Sequence, residues 1–292
     1  MDKNNIIGTG LTGLVGSRIV ELLPDFHFEN ISRSTGVDIT NKEAVLTAIK
    51  NSPASVVLHM AAKTNVDGCE ADKQFGENGE AWKINVLGTA NIVEACEKTG
   101  KKLVYISTDM VFPGDKPLSE TYSEEEMPNP KNWYATTKYQ AERLVSSAQT
   151  STLILRIAYP YRANFEKKEY VRVFIDLLKN QKAIKTVEDH YFTPTFIDDI
   201  PTALNLLLKT NQTGIFHVVG KETVSPFIVA QKIAQTFDFD SSLISKTTRE
   251  EYFKNKAYRG FNLSLNNDKI EKLGISLTSF SQGLEEIKKQ IL

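Results

Sequence analysis

The chain has 292 residues, of which 41% are hydrophobic and 24% are charged, and its formal net charge is −1. This composition is ordinary for a soluble globular protein that forms one large domain or two modest ones. The near-neutral charge argues against a nucleic-acid-binding protein, and every apolar run is far shorter than the ~20 residues that span a bilayer.

The cysteines and histidines favour a cytoplasmic protein without a metal site. Cys69 and Cys96 lack the CxxC spacing of thiolate metal sites, and so few cysteines suit a reducing compartment. The four histidines are scattered, and no two have the helical spacing of metal ligands. The first ten residues lack the charged and apolar regions of a signal peptide. We expect a cytoplasmic protein; its oligomeric state stays open, with a homodimer as the expectation.

The first 160 residues alternate short apolar runs with helical patterns. The apolar runs predict strands at residues 4–10, 26–32, 54–61, 101–107 and 151–158. The patterns between them predict helices at residues 14–23, 41–51, 80–100 and 134–148. We expect Thr40 to cap the second helix and Gly100 to end the third. Buried strands that alternate with helices imply βαβ units and a parallel sheet covered on both faces.

The turn after the first strand is rich in glycine. Gly10, Gly13 and Gly16 form a GxxGxxG pattern that leaves a strand and opens a helix. Glycine lets the backbone approach a pyrophosphate, and the helix N-terminus offers N–H groups to the phosphates. The pattern predicts that this turn, including Leu11 and Thr12, binds a dinucleotide. The alternative is a turn that only packs the helix on the strand.

The end of the second strand is expected to bind the adenosine ribose. An acidic residue there selects NAD, whereas a basic residue accepts the 2′-phosphate of NADP. Ser32 stands where the acid is expected and Arg33 follows it, which favours NADPH. Asp38 and Ile39 are also candidates to contact adenine or ribose, so NADH stays open. The alternative for Arg33 is an exposed arginine that binds no ligand.

Small residues follow the third strand, at Ala61 and Ala62 after Met60. They would let a cofactor lie against the backbone, and we count all three among the cofactor contacts. Tight packing between helix and strand also needs small residues, and both explanations can hold together.

The fourth strand ends in polar side chains, at Ser107, Thr108 and Asp109. Ligands of an open parallel sheet bind beyond the carboxyl ends of its strands, so these residues should share an edge with the glycine turn. Tyr134 and Lys138 lie four positions apart at the start of the next helix and face the same side. A nearby cation lowers the tyrosine pKa from about 10 by stabilising the phenolate. The pair is therefore a candidate proton donor with its tuning cation; the alternative is a solvent-facing pair.

After Tyr159 the pattern is less regular. It predicts helices at residues 169–181, 225–237 and 280–292 and a strand at residues 214–220. Residues 183–209 are predicted to form a short strand, an irregular loop and a helix.

These motifs resemble those of the extended short-chain dehydrogenase/reductase superfamily, in which GxxGxxG, a strand-end Ser/Thr and YxxxK occur together. The closest likeness is to dTDP-4-dehydrorhamnose reductases. It runs from about residue 6 to residue 204 and includes the stretches "GLTGLVG", "STDMVFPG", "NWYATTKYQAE" and "FTPTFIDDIPTAL". The resemblance implies that NAD(P)H delivers hydride to a carbonyl carbon while Tyr134 protonates the oxygen. It also implies that Thr108 holds that oxygen and that Lys138 tunes the tyrosine and binds the cofactor.

Three residues depart from the pattern of the resembling proteins. Met110 stands where related sugar-nucleotide dehydratases have an acid that assists the loss of water. Tyr159 stands where rhamnose-pathway reductases commonly have a tryptophan beside the sugar, and Gly260 stands where a proline usually follows the arginine. The last two changes leave the sugar open, with Asp109, Tyr159 and Arg259 as candidate substrate contacts.

We therefore predict a Rossmann-type doubly wound α/β domain with a smaller, discontinuous C-terminal α/β substrate domain. The first domain would comprise residues 1–158 and about 186–220, and the second would comprise about 159–185 and 221–292.

The expected reaction is the NADPH-dependent reduction of a 4-keto group on a nucleotide-linked deoxysugar. Four arginines are candidates to hold the diphosphate, namely Arg162, Arg172, Arg249 and Arg259. Two alternatives stay open. One is a sugar-nucleotide epimerase that retains NAD, and the other is a non-catalytic cofactor-binding subunit, because the regulatory beta subunit of methionine adenosyltransferase resembles the same reductase branch.

Overall fold

A computed structural model describes residues 4–291 of the chain. Its strands are β1 (Asn5–Thr9), β2 (His27–Ile31), β3 (Val56–His59), β4 (Lys102–Thr108), β5 (Thr152–Ile157), β6 (Ile184–Val187), β7 (Gly214–His217) and β8 (Ile244–Thr247). Within the described residues, six of them form a parallel sheet in the order β2-β1-β3-β4-β5-β7. This order confirms the predicted doubly wound sheet.

The helices are α1 (Gly16–Leu22), α2 (Lys42–Asn51), α3 (Val66–Asp72), α4 (Glu80–Trp82), α5 (Gly88–Thr99), α6 (Trp133–Ser146), α7 (Tyr170–Lys179), α8 (Asp199–Lys209), α9 (Pro226–Phe237), α10 (Arg249–Tyr252), α11 (Asp268–Glu271) and α12 (Phe280–Ile291). Helices pack on both faces of the large sheet, because successive side chains of a strand point to opposite faces and each face has an apolar core. Ile6 belongs to the core under α1 and α8, whereas its neighbour Ile7 belongs to the core under α2 and α5.

The strand order determines where a ligand can bind. β1 pairs with β2 on one side and with β3 on the other, so the chain reverses its direction of winding at β1. Such a switch point leaves a crevice beyond the carboxyl ends of the central strands. The glycine-rich turn, residues 10–16, follows β1 directly at this crevice.

A second, smaller sheet pairs β6 with β8 in parallel. It has its own apolar core with α7, α9 and α12, to which Val171, Ile184, Val229 and Leu284 contribute. β6 crosses the boundary predicted near residue 186, and residues of α11 and the segment after it pack into the core of the large sheet. The division into two domains stays a prediction; residues 1–3 and 292 of its ranges lie outside the described part, as does the last residue of the helix predicted at 280–292.

The structure corrects two local predictions. Asn41, and not Thr40, caps α2, because its side chain accepts a hydrogen bond from the Ala44 N–H, while Thr40 donates its hydroxyl to Asp38. The single helix predicted at 80–100 is interrupted by a turn of π-helix at Lys83–Leu87 between α4 and α5. Gly100 ends α5 in the left-handed conformation, as its position predicts. None of the helices between residues 4 and 291 combines the length and apolar character that crossing a bilayer requires.

Candidate active site

A cleft of about 480 Å³ opens at the carboxyl ends of the central strands. Most of the residues predicted from the motifs line it: Gly10, Gly13, Gly16, Met60, Ala61, Ala62, Thr108, Asp109, Tyr134, Lys138 and Tyr159. They come from stretches up to about 150 positions apart, and the parallel sheet brings them to one edge.

The glycine-rich turn approaches its neighbours too closely for larger residues. Gly10 has φ +71°, and a Cβ at Gly16 would lie 2.3 Å from the Gly10 carbonyl oxygen. No side chain caps the first turn of α1, where the Ser17 and Arg18 N–H groups donate to the Gly13 and Val15 carbonyls. An exposed backbone beside an uncapped helix start fits the pyrophosphate of a dinucleotide.

A buried network of hydrogen bonds holds the segment that follows β3. The Thr9 hydroxyl accepts hydrogen bonds from the Met60 and Ala61 N–H groups, and it lies 2.7 Å from Nδ1 of His59. Nε2 of His59 lies 3.0 Å from the Thr89 hydroxyl. Burial lowers the pKa of His59 to about 3, so the ring is neutral at neutral pH and acts as a structural hydrogen-bonding group between Thr9 and Thr89. The network fixes the small residues that form the floor of the cleft.

The residues predicted to bind the adenosine lie beside the cleft. Arg33 is 67% exposed on its side chain, and its Nε donates to Asp38 at 2.9 Å. Asp38 also accepts from the N–H and hydroxyl of Thr40, and these bonds lower its pKa. Ser32 caps the short 3₁₀ turn that carries Arg33. The guanidinium of Arg33 therefore lies at the surface and is held only through its Nε, by the ion pair with Asp38.

Tyr134, Lys138 and Thr108 converge in the cleft, as the motif predicts. Tyr134 is 9% exposed and Lys138 is 4% exposed, so this pair on α6 does not face solvent. The Lys138 ammonium donates to the Ile106 carbonyl at 2.8 Å and lies 4.1 Å from the centre of the Tyr105 ring. α6 begins at the cleft because the Asn132 side chain caps it through the Ala135 N–H.

Burial, and not the lysine, dominates the pKa of Tyr134, which corrects the expectation drawn from the YxxxK spacing. Burial raises this pKa, the Asp109 carboxyl raises it further, and the nearby Thr108 hydroxyl opposes both. Burial also lowers the pKa of Lys138 to about 7, although Glu142 opposes the change. The phenol of Tyr134 is thus fully protonated at neutral pH, which is the state that a proton donor needs.

Asp109 is a buried carboxyl in the centre of the site. It is 1% exposed, its Oδ1 accepts from the Thr108 hydroxyl at 2.9 Å, and its Oδ2 has no partner among the described residues. Burial raises the pKa of Asp109 to about 7, against the opposing effects of the Thr108 hydroxyl and of the nearby Met110 N–H, which itself donates to Thr108. A buried polar atom without a partner is rare in proteins and is a candidate for contact with a ligand.

Two contributors to the site were not predicted. Asn85, in the π-helical turn, exchanges two hydrogen bonds with the backbone of Lys63 and donates to Thr137 on α6, which ties the segment after β3 to α6 behind the cleft lining. Single π-helical turns inside α-helices occur frequently at functional sites. His190 bonds to the hydroxyl of Tyr159 from another segment. For Asn85 the sequence gives only an asparagine inside a helical pattern, and for His190 only one scattered histidine.

Some predicted residues do not line the cleft. Leu11 is buried in the core beneath the glycine turn, and Thr12, Arg33, Asp38, Ile39 and Arg259 lie outside the cleft lining. The four candidate diphosphate arginines are all held by protein groups. Arg162 bonds to Leu14, Ser17 and Glu21; Arg172 bonds to Glu169 and two carbonyls; Arg249 bonds to the Arg259 carbonyl; Arg259 bonds to Asp67 and the Ala257 carbonyl.

Comparison with known proteins identifies relatives over the whole chain. A family model described as RmlD substrate binding domain matches residues 4–292. A dTDP-4-dehydrorhamnose reductase of Aggregatibacter actinomycetemcomitans is 28% identical over 96% of this chain and 97% of its own. The methionine adenosyltransferase 2 subunit beta of Mus musculus is also 28% identical, over 97% of this chain and 87% of its own.

Among solved structures, a dTDP-4-dehydrorhamnose reductase from Bacillus anthracis in complex with NADP superimposes with a TM-score of 0.89. It is 29% identical, and the match covers 99% of both chains. A UDP-glucose 4-epimerase from Thermus thermophilus, in complex with NAD, has a TM-score of 0.80 at 22% identity over 98% of both chains, a likeness of fold alone.

Proposed function

Because this chain belongs to the RmlD substrate binding domain family, we propose that it reduces the 4-keto group of a nucleotide-linked deoxysugar with NADPH. The convergence of Thr108, Tyr134 and Lys138 in one buried cleft carries this proposal. A similar reductase is known in complex with NADP, which supports NADPH as the reductant.

The cofactor would be held along the carboxyl edge of the sheet. Gly10, Gly13 and Gly16 would bind its pyrophosphate, and Met60, Ala61 and Ala62 would contact it from the segment after β3. The exposed Arg33 would bind the 2′-phosphate as a hydrogen-bond donor. When bound, NADPH supplies a hydride for the carbonyl carbon of the sugar. The chain supplies position, the exclusion of water and the proton.

Tyr134 supplies the proton to the carbonyl oxygen, since its phenol is buried and protonated at neutral pH. Hydride addition at carbon and proton transfer at oxygen turn the ketone into an alcohol and leave a tyrosinate. Lys138, as a cation, stabilises that tyrosinate once it forms. The Thr108 hydroxyl donates to Asp109 in this structure, so it would have to turn toward the carbonyl oxygen in order to orient it.

Replacing Arg33 by alanine should weaken NADPH binding by about 1.5–3 kcal/mol, the scale of a charge-assisted hydrogen bond. The affinity for NADH should change much less, because NADH lacks the 2′-phosphate. Isothermal titration calorimetry with both cofactors measures the effect, and Arg143→Ala on α6 is the control for loss of a surface arginine. Equal losses for both cofactors would show that Arg33 binds something other than this phosphate.

The reaction is tested by NADPH consumption against a panel of nucleotide-linked 4-keto-6-deoxysugars, with the stereochemistry of each product determined. We expect saturation in NADPH and reduction of at least one ketosugar, without dehydration of a nucleotide hexose. Met110 lines the cleft but carries no acid for the loss of water. Met110→Glu alone should not create a dehydratase, since the leaving hydroxyl must also be aimed at the new carboxylate. Dehydration by either protein would contradict the assignment.

The equal similarity to a methionine adenosyltransferase subunit makes a cofactor-binding regulatory subunit the second candidate. Such a subunit would bind NADPH, form a complex with a larger enzyme and reduce no ketosugar. The reductase is favoured here because a proton donor, its cation and a carboxyl oxygen without a partner in residues 4–291 lie together in the cleft. The substrate panel distinguishes the two functions.

Three further proposals concern the domain division, the cellular location and the oligomeric state of the protein. The division into a cofactor domain and a substrate domain is supported by the separate core around β6 and β8. A cytoplasmic location is supported by two free, buried cysteines, Cys69 and Cys96. A homodimer is an expectation of the sequence analysis, and sedimentation equilibrium tests it.

A further inference from the structure

Tyr159 lines the cleft from a strained backbone position two residues after the end of β5. Its φ of +41° lies in the left-handed region, which residues other than glycine rarely adopt. Thr195 fixes the chain on both sides, because it exchanges two hydrogen bonds with Ala158 and accepts one from the Tyr161 N–H. Strained residues that are held this firmly cluster at functional sites.

The ring of Tyr159 is fixed as well as its backbone. It stacks on Phe192 with ring centres 3.7 Å apart and meets Tyr170 edge to face. Its hydroxyl lies 2.6 Å from Nε2 of His190. Since this one hydrogen bond and two aromatic contacts determine the ring position, the hydroxyl has a defined direction.

His190 determines where the proton of that hydroxyl lies. Nδ1 of His190 is 2.6 Å from the Gly260 carbonyl oxygen, which can only accept, so Nδ1 carries the hydrogen. Burial lowers the pKa of His190 to about 4, helped by Arg259 and Arg249 and opposed by the Gly260 carbonyl and Asp189, so the ring is neutral at neutral pH. A neutral imidazole has one N–H, and Nε2 must therefore accept the proton of the Tyr159 hydroxyl.

We propose that Tyr159 is a specificity-determining residue whose phenol oxygen accepts a hydrogen bond from a hydroxyl group of the sugar. The hydroxyl proton is committed to His190, so only the lone pairs of the oxygen remain for a ligand. A keto or ether oxygen could not pair with it. His190 is a positioning residue that acts through Tyr159. This proposal rests on the proposed function and refines its substrate to a ketosugar with a hydroxyl at this point.

The two tyrosines of the cleft then have opposite roles in hydrogen bonding. Tyr134 donates its proton to the keto oxygen, whereas Tyr159 accepts from a hydroxyl, so a sugar bound the wrong way round would meet two mismatched groups. The hydrogen bonds of His190 also connect the two residues on the substrate side that depart from the pattern of the resembling reductases. Tyr159 and Gly260 lie 101 positions apart, and His190 bonds to both.

The test uses Tyr159→Phe, which removes only the hydroxyl, on a nucleotide 4-ketosugar that the wild-type protein reduces. We expect kcat/KM to fall about 10- to 100-fold, mainly through KM, because a buried sugar hydroxyl loses its acceptor. The Kd of NADPH should stay within about twofold. The same ketosugar without its 2-hydroxyl, or without its 3-hydroxyl, identifies the partner: one of them should be reduced equally well by both proteins.

His190 variants test the positioning role. His190→Gln keeps an amide N–H for Gly260 and an oxygen for Tyr159, so it should retain kcat/KM within a few-fold. His190→Leu should lose about as much as Tyr159→Phe, and the double variant should lose little more, because the two residues act as one unit. Thermal melting of each variant checks its fold.

The outcomes separate this proposal from the function on which it rests. A wild-type protein that reduces no ketosugar would overturn both. A wild-type protein that is active, with Tyr159→Phe equal to it on the full substrate, would overturn the proposal alone. So would a Tyr159→Phe defect of the same size on every deoxy analogue, because it would come from packing and not from one hydroxyl.

Discussion

Replacing Tyr134 by phenylalanine should lower kcat by about 10²–10⁴-fold, the range for a positioned general acid. The loss follows from the position of the phenol, which is buried in the cleft beside Thr108 and Asp109 and is protonated at neutral pH. NADPH affinity and melting temperature should barely change, since only one hydroxyl is removed. Steady-state kinetics on a confirmed substrate gives kcat, and calorimetry gives the Kd of NADPH.

Tyr139→Phe is the matched control, because it makes the same change on the same helix outside the cleft. Among the described residues, the Tyr139 hydroxyl forms one hydrogen bond, to the Met127 sulfur. We expect its kcat to equal that of the wild-type protein. If Tyr134→Phe behaves like Tyr139→Phe, the proton comes from another group and the assignment of Tyr134 is wrong.

Replacing Asp109 by asparagine should make the protein more stable above neutral pH. The pKa of Asp109 is raised from 3.8 to about 7 in the folded state. The stability that this carboxyl contributes is therefore complete below pH 3.8 and is lost as the pH rises through about 7. A rise of this size corresponds to at most about 4 kcal/mol in the free energy of unfolding. Asparagine resembles the protonated acid and does not titrate.

Urea unfolding of both proteins at several pH values between about 5 and 8 measures this effect. The stability difference in favour of Asp109→Asn should grow as the pH rises from about 5 to about 7 and then level off. Asp25→Asn, at an exposed position, should differ from the wild-type protein by less than about 0.5 kcal/mol throughout. A constant difference would mean that Asp109 is ionised in the folded protein at all these pH values. The variant should also lose activity, because natural sites retain such costly groups for function.

The parts of the fold that follow local rules could be predicted from the sequence. The glycine turn, the buried strands and the Tyr134–Lys138 pair each depend on residues a few positions apart, and the rule for parallel sheets then brings them to one edge. The end of α5 at Gly100 follows from the same kind of local preference.

Features that depend on distant contacts could not be predicted. The bond from Tyr159 to His190 and on to Gly260 joins three separate segments, and none of them carries a local signal for the others. The raised pKa of Tyr134 depends on how deeply α6 is buried, which spacing alone does not reveal. The choice of Asn41 over Thr40 as the cap of α2 shows the same limit at short range, since Asp38 takes the threonine hydroxyl.

The fate of the cofactor tests the central claim most directly. A reductase must exchange spent cofactor in every turnover, whereas an epimerase oxidises and re-reduces the same sugar and retains its NAD. The measurement is the amount of ketosugar converted by nucleotide-free protein, with and without added NADPH, together with the NADPH consumed. We predict no conversion without NADPH and one NADPH consumed for each alcohol formed. Conversion of a nucleotide sugar without added cofactor, by protein that retains NAD through purification, would contradict the reductase assignment.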